Sequence, residues 1–446
     1  MYTDFLIDVF NKNAQEDALI WKDDSYTYHW LLDSLDDWRK RLAEEQIANS
    51  AVVSIEADFS PSAVCLMLAL IEKNCVIVPL TTSVDANKPE FREIAQIELI
   101  IKIDDKEKVT FTNSGVQATQ ELIKELKNKE HPGLVLFSSG STGKSKAAIH
   151  DMVPMLEKFK VPRNSMRSIT FLLFDHIGGF NTLLYNLSNA GCTITVQDRR
   201  PETICAAIDK HKVELLPTTP TFINLLLVSE AYKNYALTSL QLVTYGTEVM
   251  PESTLKRFHQ LFPDKKLLQT YGLSEVGILR SKSKSSDSLW VKVGGEGFET
   301  RVIDGMLEIK AKSAMLGYLN APSPFTEDGW FITGDAVEVD GEYIRILGRK
   351  SEIINVGGEK VYPAEVESVI QRMDGVEDIA VMSESNPITG QIVKAKVKLS
   401  TDETLREFRK RMREYCKDKL TKFKVPQKVE LITETLHGDR FKKMRR

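Results

Sequence analysis

From about residue 50 to 350 the chain alternates short β-branched runs with stretches of helical periodicity. VVSIEA, from Val52, precedes an apolar helical run opened by Ser60-Pro61, and CVIVPL, from Cys75, follows it. GLVLFSS, SITFLLF, CTITVQD, VELLPTT and LQLVTYG come later, most of them separated by helical segments. Strand and helix alternating at that interval predict α/β layers built on mainly parallel strands. In such sheets ligands lie beyond the carboxyl ends of the strands, so the loops leaving Phe137, Phe174, Tyr245 and Tyr271 are the candidate site.

After about Ala311 the pattern changes. MLEIKAK and EYIRILGR with their DGW and DGE turns read as antiparallel hairpins, a β subdomain. From Arg349 a small α+β unit follows: EIINV, a Gly-Gly turn, a helix opened by Pro363, DIAVMS, QIVKAKVKL, a basic helix from Leu405 to Leu420, and VPQKVELIT. Two domains are expected, 1–348 and 349–446. SKSKSSDS (281–288) reads as a mobile surface loop.

Composition narrows the class. With 446 residues, 42% hydrophobic and 27% charged, the chain has the balance of a globular protein that can bury a sizeable core. No apolar run approaches the ~20 residues of a membrane-spanning helix, and the N-terminus lacks the pattern of a secretory signal. The five scattered cysteines form no CxxC, so they read as reduced thiols of a cytoplasmic protein. Residues 349–446 carry 22 Lys+Arg against 16 Asp+Glu, a net +6, and residues 1–348 carry −10. Because the signs alternate at helical spacing in LREFRKRMREYCKDKL, the excess reads as a solvated helix face and not as a nucleic-acid site. A basic lid over a polyphosphate is the third reading.

The strongest chemical signal is SSGSTGKSK (138–146), launched directly from an apolar strand. Small residues let backbone N–H groups converge on an anion, and hydroxyls and lysines add donors and charge. A P-loop would need an opening glycine at 138, where Ser138 stands, so this is a phosphate cradle of another kind.

That loop resembles the [ST]-[SG]-G-[ST]-T-G-x-P-K segment of adenylate-forming enzymes, with Ser145 at the proline and Lys146 at the closing lysine. The resemblance continues in order through QTYGLSEVG (269–277), GMLEIKAKSAMLGYL, and GWFITGDAVEVDGEYIRILGRKSEIINVGGEKVYPAEVE (329–367). It also takes in TYHWLLDSLDDWRKRL near the start, so it covers essentially the whole chain.

The resemblance implies an adenylate-forming fold with a mobile C-terminal lid, and a set of roles. Ser138, Ser139, Gly140, Ser141, Thr142, Gly143 and Lys146 would hold ATP phosphates, with Gly246, Thr247, Gly272 and Ser274 nearby. Tyr271 would stack on adenine, Asp335 would accept the ribose hydroxyls, and Arg349 would clamp beside them. Glu275 would hold Mg²⁺, a hard cation suited to carboxylate and phosphate oxygens. Asp175, His176, Gly179, Tyr245 and Gly272 would line the acid pocket, Asp175 and His176 also reading as a local turn pair. Glu248 ends the YGTE stretch (245–248) that would line the same pocket, with exposure to solvent as its other reading. Lys350 and Ser351 would form the hinge, and Gly357, Gly358 and Lys360 the thiol tunnel.

In the GKxxR-type segment near the end, LHGDRFKKMRR, alignment puts Lys443 on the catalytic lysine and Lys442 on the usual glycine, with Lys442 as the other candidate. The implied reaction is ATP-dependent formation of an acyl-adenylate with release of pyrophosphate, then thioester formation with coenzyme A. Two alternatives remain open: transfer to the phosphopantetheine thiol of a carrier protein, or a nucleotide-binding relative with impaired catalysis.

Overall fold

The computed structural model describes residues 1–139, 145–438 and 440–445, Ser139 without its side chain. The alternating pattern builds two seven-stranded sheets that share the large N-terminal part. In one, Lys266–Gln269, Leu242–Tyr245, Leu215–Thr218, Arg167–Ile169, Cys192–Ile194 and Asp17–Trp21 run parallel in that spatial order, and Asp24–Thr27 closes the edge antiparallel. In the other, Leu99–Ile103, Val52–Glu56, Val76–Pro79 and Gly133–Ser139 are parallel neighbours. Their apolar runs are buried on both faces, as strands covered by helices require. Helix Pro61–Glu72 shows the local logic: Ser60 caps it by accepting from the Ala63 N–H, Pro61 starts it, and nearly every residue is buried.

The phosphate-loop strand behaves differently. Gly133–Ser139 pairs antiparallel with Ser145–Asp151, placing Ser138 opposite Lys146. Gly140, Ser141, Thr142 and Gly143 lie outside the described residues.

The β subdomain is a six-stranded antiparallel sheet ending in Phe331–Asp340 and Tyr343–Arg349. Its edge corrects the loop expected at 281–288. Arg280–Ser283 is a strand paired with Trp290–Gly294. Polar and charged residues on both of its faces hid it, and they are also what keeps an edge strand from pairing with another chain. After a single 3₁₀ turn, Lys350–Glu352, residues 354–431 form a separate sheet backed by helices Pro363–Ile370 and Leu405–Cys416. They enclose their own core around Val366, Ile379, Val393 and Phe408. Lys350 and Ser351, the expected hinge, are thus exposed and sit in the only connection between that sheet and the preceding one.

All five cysteines are buried free thiols, and burial pushes each above its ordinary range. No helix among the described residues is long and apolar enough to cross a membrane.

One buried residue sets an acid limit on stability. His150 is fully buried under the site beside the Ser274 and Ser313 backbone, neither ring nitrogen makes a well-formed hydrogen bond, and burial outweighs those neighbours to lower its pKa to about 4. The unfolded chain takes up that proton near pH 6.5, so the folded state loses about 2 kcal/mol between pH 7 and pH 5. Urea midpoints at the two values should show this loss, and His150→Gln should flatten it. An unchanged slope in the variant would assign the acid sensitivity elsewhere.

Candidate active site

The site is assembled from loops at the carboxyl ends of the first sheet, the turn after Gly272, the β subdomain and the C-terminal tail. Strand Leu242–Tyr245 ends in Gly246-Thr247-Glu248. A Cβ on Gly246 would lie 2.8 Å from the Thr270 carbonyl oxygen, so only glycine lets the two strand ends approach. Thr247 follows at φ +71°, its hydroxyl buried without a partner, as suits a group aimed at an incoming ligand. Glu248 is half-buried, contrary to the reading of exposure to solvent. Its two oxygens accept the Thr221 N–H (2.8 Å) and the Lys443 N–H (3.1 Å), which ties the C-terminal tail to this strand end. Tyr245 is buried with an unpartnered hydroxyl, and burial raises its pKa.

Gly272–Leu273 and Gly277–Ile278 form a two-stranded hairpin carrying Ser274 and Glu275 at its tip. Gly272 allows that closeness, since a Cβ there would meet the Gly277 carbonyl oxygen at 2.8 Å. The Glu275 carboxylate is oriented by the Tyr318 hydroxyl, which donates to Oε1 at 2.6 Å. Lys146 stands over the same Tyr318 ring, its Nζ 5.0 Å from the centroid. A half-buried carboxylate fixed in this way beside a lysine fits a Mg²⁺ ion whose remaining ligands are phosphate oxygens.

Tyr271 and Asp335 are placed together, but not as the resemblance implied. Tyr271 is only 6% exposed and its hydroxyl donates to Asp335 Oδ2 at 2.5 Å, so its ring is not open for stacking. Arg349 Nε lies 3.0 Å from Asp335 Oδ1. Both oxygens of Asp335 are therefore engaged, and burial nonetheless raises its pKa above the ordinary carboxylate value.

The acid-pocket residues lie at the start of helix Ile177–Ser188. His176 caps that helix, its Nδ1 accepting the Gly178 N–H at 3.0 Å. Burial, with Lys442 and Arg440 nearby, lowers its pKa well below the ordinary value, so the ring is neutral and holds this tautomer. The Asp175–His176 turn pair is not formed. Asp175 is buried and accepts from the Thr81 hydroxyl (3.0 Å) and from Arg440 Nη2 (3.0 Å), while Oδ1 has no partner. Gly179 spaces the helix instead of lining the pocket, because a Cβ there would fall 1.9 Å from the Leu173 carbonyl oxygen.

The tail corrects the assignment of the two lysines. Lys443 turns away from the site: its Nζ donates to the Ile379 carbonyl (2.6 Å) and lies 3.3 Å from Asp378, both in the small domain. Arg445 likewise bridges Glu367 and Glu352. Lys442 points the other way, into a cavity lined by His176, Arg199, Thr247 and Arg440. Glu275, Glu248 and Arg349 are all close enough to act on its charge; its side chain keeps solvent contact, yet the protein around it and the two arginines keep its pKa below that of an ordinary lysine. Phe441 supports the same register. Its φ is +51°, a backbone glycine adopts freely, and its ring packs against Phe171 and Phe222 at centroid distances of 5.3 and 5.8 Å. Phe441 thus occupies the glycine place, and Lys442 to Arg445 satisfies the K-x-x-R spacing.

Gly357, Gly358 and Lys360 are exposed on the small domain, in and beside the turn joining Ile354–Val356 to Glu359–Val361. Sequence reasoning quoted Arg440 and Phe441 only within the tail segment and Glu248 only as the end of YGTE, and it gave none of the three a partner. No cluster of three or more metal-ligating side chains occurs among the described residues.

A set of strand-end loops held by the tail of a small second domain defines a class. The chain belongs to the AMP-binding enzyme family: the family profile matches residues 8–304, and that of the AMP-binding enzyme C-terminal domain matches 365–442. It is 26% identical over 331 residues to an indoleacetate–CoA ligase of Aromatoleum aromaticum, a match covering 68% of this chain and 64% of that protein. A 2-succinylbenzoate–CoA ligase of Enterococcus faecalis is 23% identical over 94% of this chain and 92% of its own. Among solved structures, an anthranilate–CoA ligase, AuaEII, in complex with anthranoyl-AMP superposes with a TM-score of 0.82 at 18% identity. That superposition covers 99% of this chain and 95% of that one, and shares the two-domain fold. The chain spans a little under two thirds of the length of several curated relatives it matches, the indoleacetate–CoA ligase among them.

Proposed function

We propose that this protein activates a carboxylic acid with MgATP, forming an acyl-adenylate and pyrophosphate, and then passes the acyl group to coenzyme A. The observation that carries this reading is Lys442, brought by the tail into one cavity with His176 and Thr247, within electrostatic reach of Glu275. Attack of the acid's carboxylate on the α-phosphate builds negative charge on the bridging and non-bridging oxygens. A fixed ammonium in a partly dry site stabilises that charge without reorganising. Mg²⁺ held by Glu275 would neutralise charge on the phosphates as pyrophosphate leaves. Asp335 and Arg349 would position the ribose, and neutral His176 closes the acid side without adding a charge. The relatives named for indoleacetate and 2-succinylbenzoate support an aryl or other organic acid as the substrate class.

A second acceptor has its own support. In this arrangement the Gly357-Gly358 turn is exposed, while Phe441 and Arg440 lock the tail onto the large domain. An enzyme held this way retains its adenylate, as suits delivery to a carrier-protein thiol or another nucleophile. Among similar folds is an amide bond synthetase, McbA, with a TM-score of 0.77 at 19% identity. Pyrophosphate release over a panel of aryl, fatty and amino acids, with and without coenzyme A, separates the readings. Acyl-CoA formation supports the first, and an adenylate that accumulates unchanged by coenzyme A supports the second. ATP binding without acid-dependent pyrophosphate release would defeat both.

A further inference from the structure

Two cavities flank the first turn of helix Ile177–Ser188. One holds Lys442 and His176. The other is walled by Phe159, Ile177, Phe180, Asn181 and Gly277, and Lys158 lines it too. It is built from acid-pocket elements: the helix that begins after His176, and the end of the hairpin that carries Glu275.

Lys158, half-buried, is unusual among the lysines drawn into the interior. Lys88, Lys265 and Lys443 each have a carboxylate within 2.6, 2.8 and 3.3 Å. Lys158 Nζ donates only to neutral acceptors, Asn181 Oδ1 at 2.6 Å and the Ile278 carbonyl at 3.4 Å. Among the described residues no carboxylate is in ion-pair reach of it, and the charge it does feel is the like charge of Arg163. Burial lowers its pKa to about 8. Lys158 and Lys442 are the two described lysines held below the ordinary lysine range, and the cavities they line meet this part of the chain at Ile177, Phe180 and Asn181 and at His176 respectively. A cation kept in an apolar wall without a counter-ion is costly unless a ligand supplies one.

Resting on the adenylation reading above, we propose that Lys158 receives a second, distal carboxylate of the acid, so that the substrate class is a dicarboxylic acid. One carboxylate reacts beside Lys442, and the far one pairs with Lys158 and Asn181.

The test compares straight-chain and phenylene-spaced dicarboxylic acids with their half methyl esters. Pyrophosphate release is measured for the wild type and Lys158→Met. The wild type should prefer the best diacid over its half ester by about 100-fold or more in kcat/KM, because the ester leaves a half-buried cation unpaired. Lys158→Met should bring that ratio close to one while leaving release from the half ester unchanged or improved. A wild-type ratio near one, or one the substitution does not alter, overturns the proposal and leaves the cavity holding solvent only. If no acid releases pyrophosphate, the adenylation reading has failed, and calorimetric titration of the same diacids in the presence of AMP decides this one. Diacid binding weakened about 100-fold in Lys158→Met supports the carboxylate site, and no diacid binding to the wild type overturns it.

Discussion

Lys442→Ala should lower acid-dependent pyrophosphate release by about 10²–10³-fold, the loss typical when a group that stabilises transition-state charge is removed. ATP binding should change far less, because the loop around Lys146, together with Glu275, Asp335 and Arg349, is untouched. Lys443→Ala should leave the adenylation rate within a few-fold of wild type and should act on stability, since its ammonium sits between Asp378 and the Ile379 carbonyl. The reverse pattern, with Lys443 essential and Lys442 dispensable, would overturn the register. The pH dependence gives a second reading. The protein around it and the charges of Arg440 and Arg349 depress the Lys442 pKa, so adenylation should fall with rising pH below the ordinary lysine range near 10.4. Lys442→Ala should abolish that limb.

Arg445→Met should destabilise the small domain by about 3–5 kcal/mol. Glu367 is 1% exposed, and Arg445 bonds it at 3.1 and 2.9 Å while reaching Glu352 at 3.0 Å. Burial alone would raise the Glu367 pKa. Arg445, Lys443 and the Val381 N–H outweigh it and hold the carboxyl below its ordinary value. The stability this supplies is present above the unfolded carboxylate pKa and is lost as pH falls through the folded one. Without Arg445 a buried carboxylate stands nearly alone, and the domain should become more stable as acid neutralises it. Glu367→Gln in the Arg445→Met background keeps the acceptor for Val381 and should recover most of the loss. Urea melts of the two variants at pH 7 and pH 5 read both effects, and an Arg445→Met protein as stable as wild type would remove the strap.

The family and the two-domain plan were legible because they rest on ordered motifs whose chemistry constrains residue type: a Gly/Ser phosphate loop, a carboxylate after YGLS, an Asp after Thr-Gly. The tail was not legible at the resolution of one residue. Lys442-x-x-Arg445 and Lys443-x-x-Arg446 both satisfy the spacing, and only the backbone at Phe441 and the acids on each side separate them. Tyr271 was misread because a motif names a residue without saying which of its faces is covered. The edge strand Arg280–Ser283 escaped because strand readings depend on apolar alternation, which a charged edge lacks. Arg440 and Lys158 act through partners more than a hundred residues away or through an absent counter-charge, and neither leaves a local signature.

Phe441 has a temporal consequence. Its ring is wedged between Phe171 and Phe222, its carbonyl accepts the Thr219 hydroxyl at 2.9 Å, and the neighbouring Arg440 is held by Asp175. Any swing of the small domain must first draw this stopper out and wet an aromatic surface that packing had kept dry. Acyl-adenylates are prone to hydrolysis, so the interval before withdrawal is also the interval in which the intermediate is shielded from water. On the proposed cycle the residue standing in the glycine place would act as a timer, setting how long the protein keeps what it has made before offering it to an acceptor.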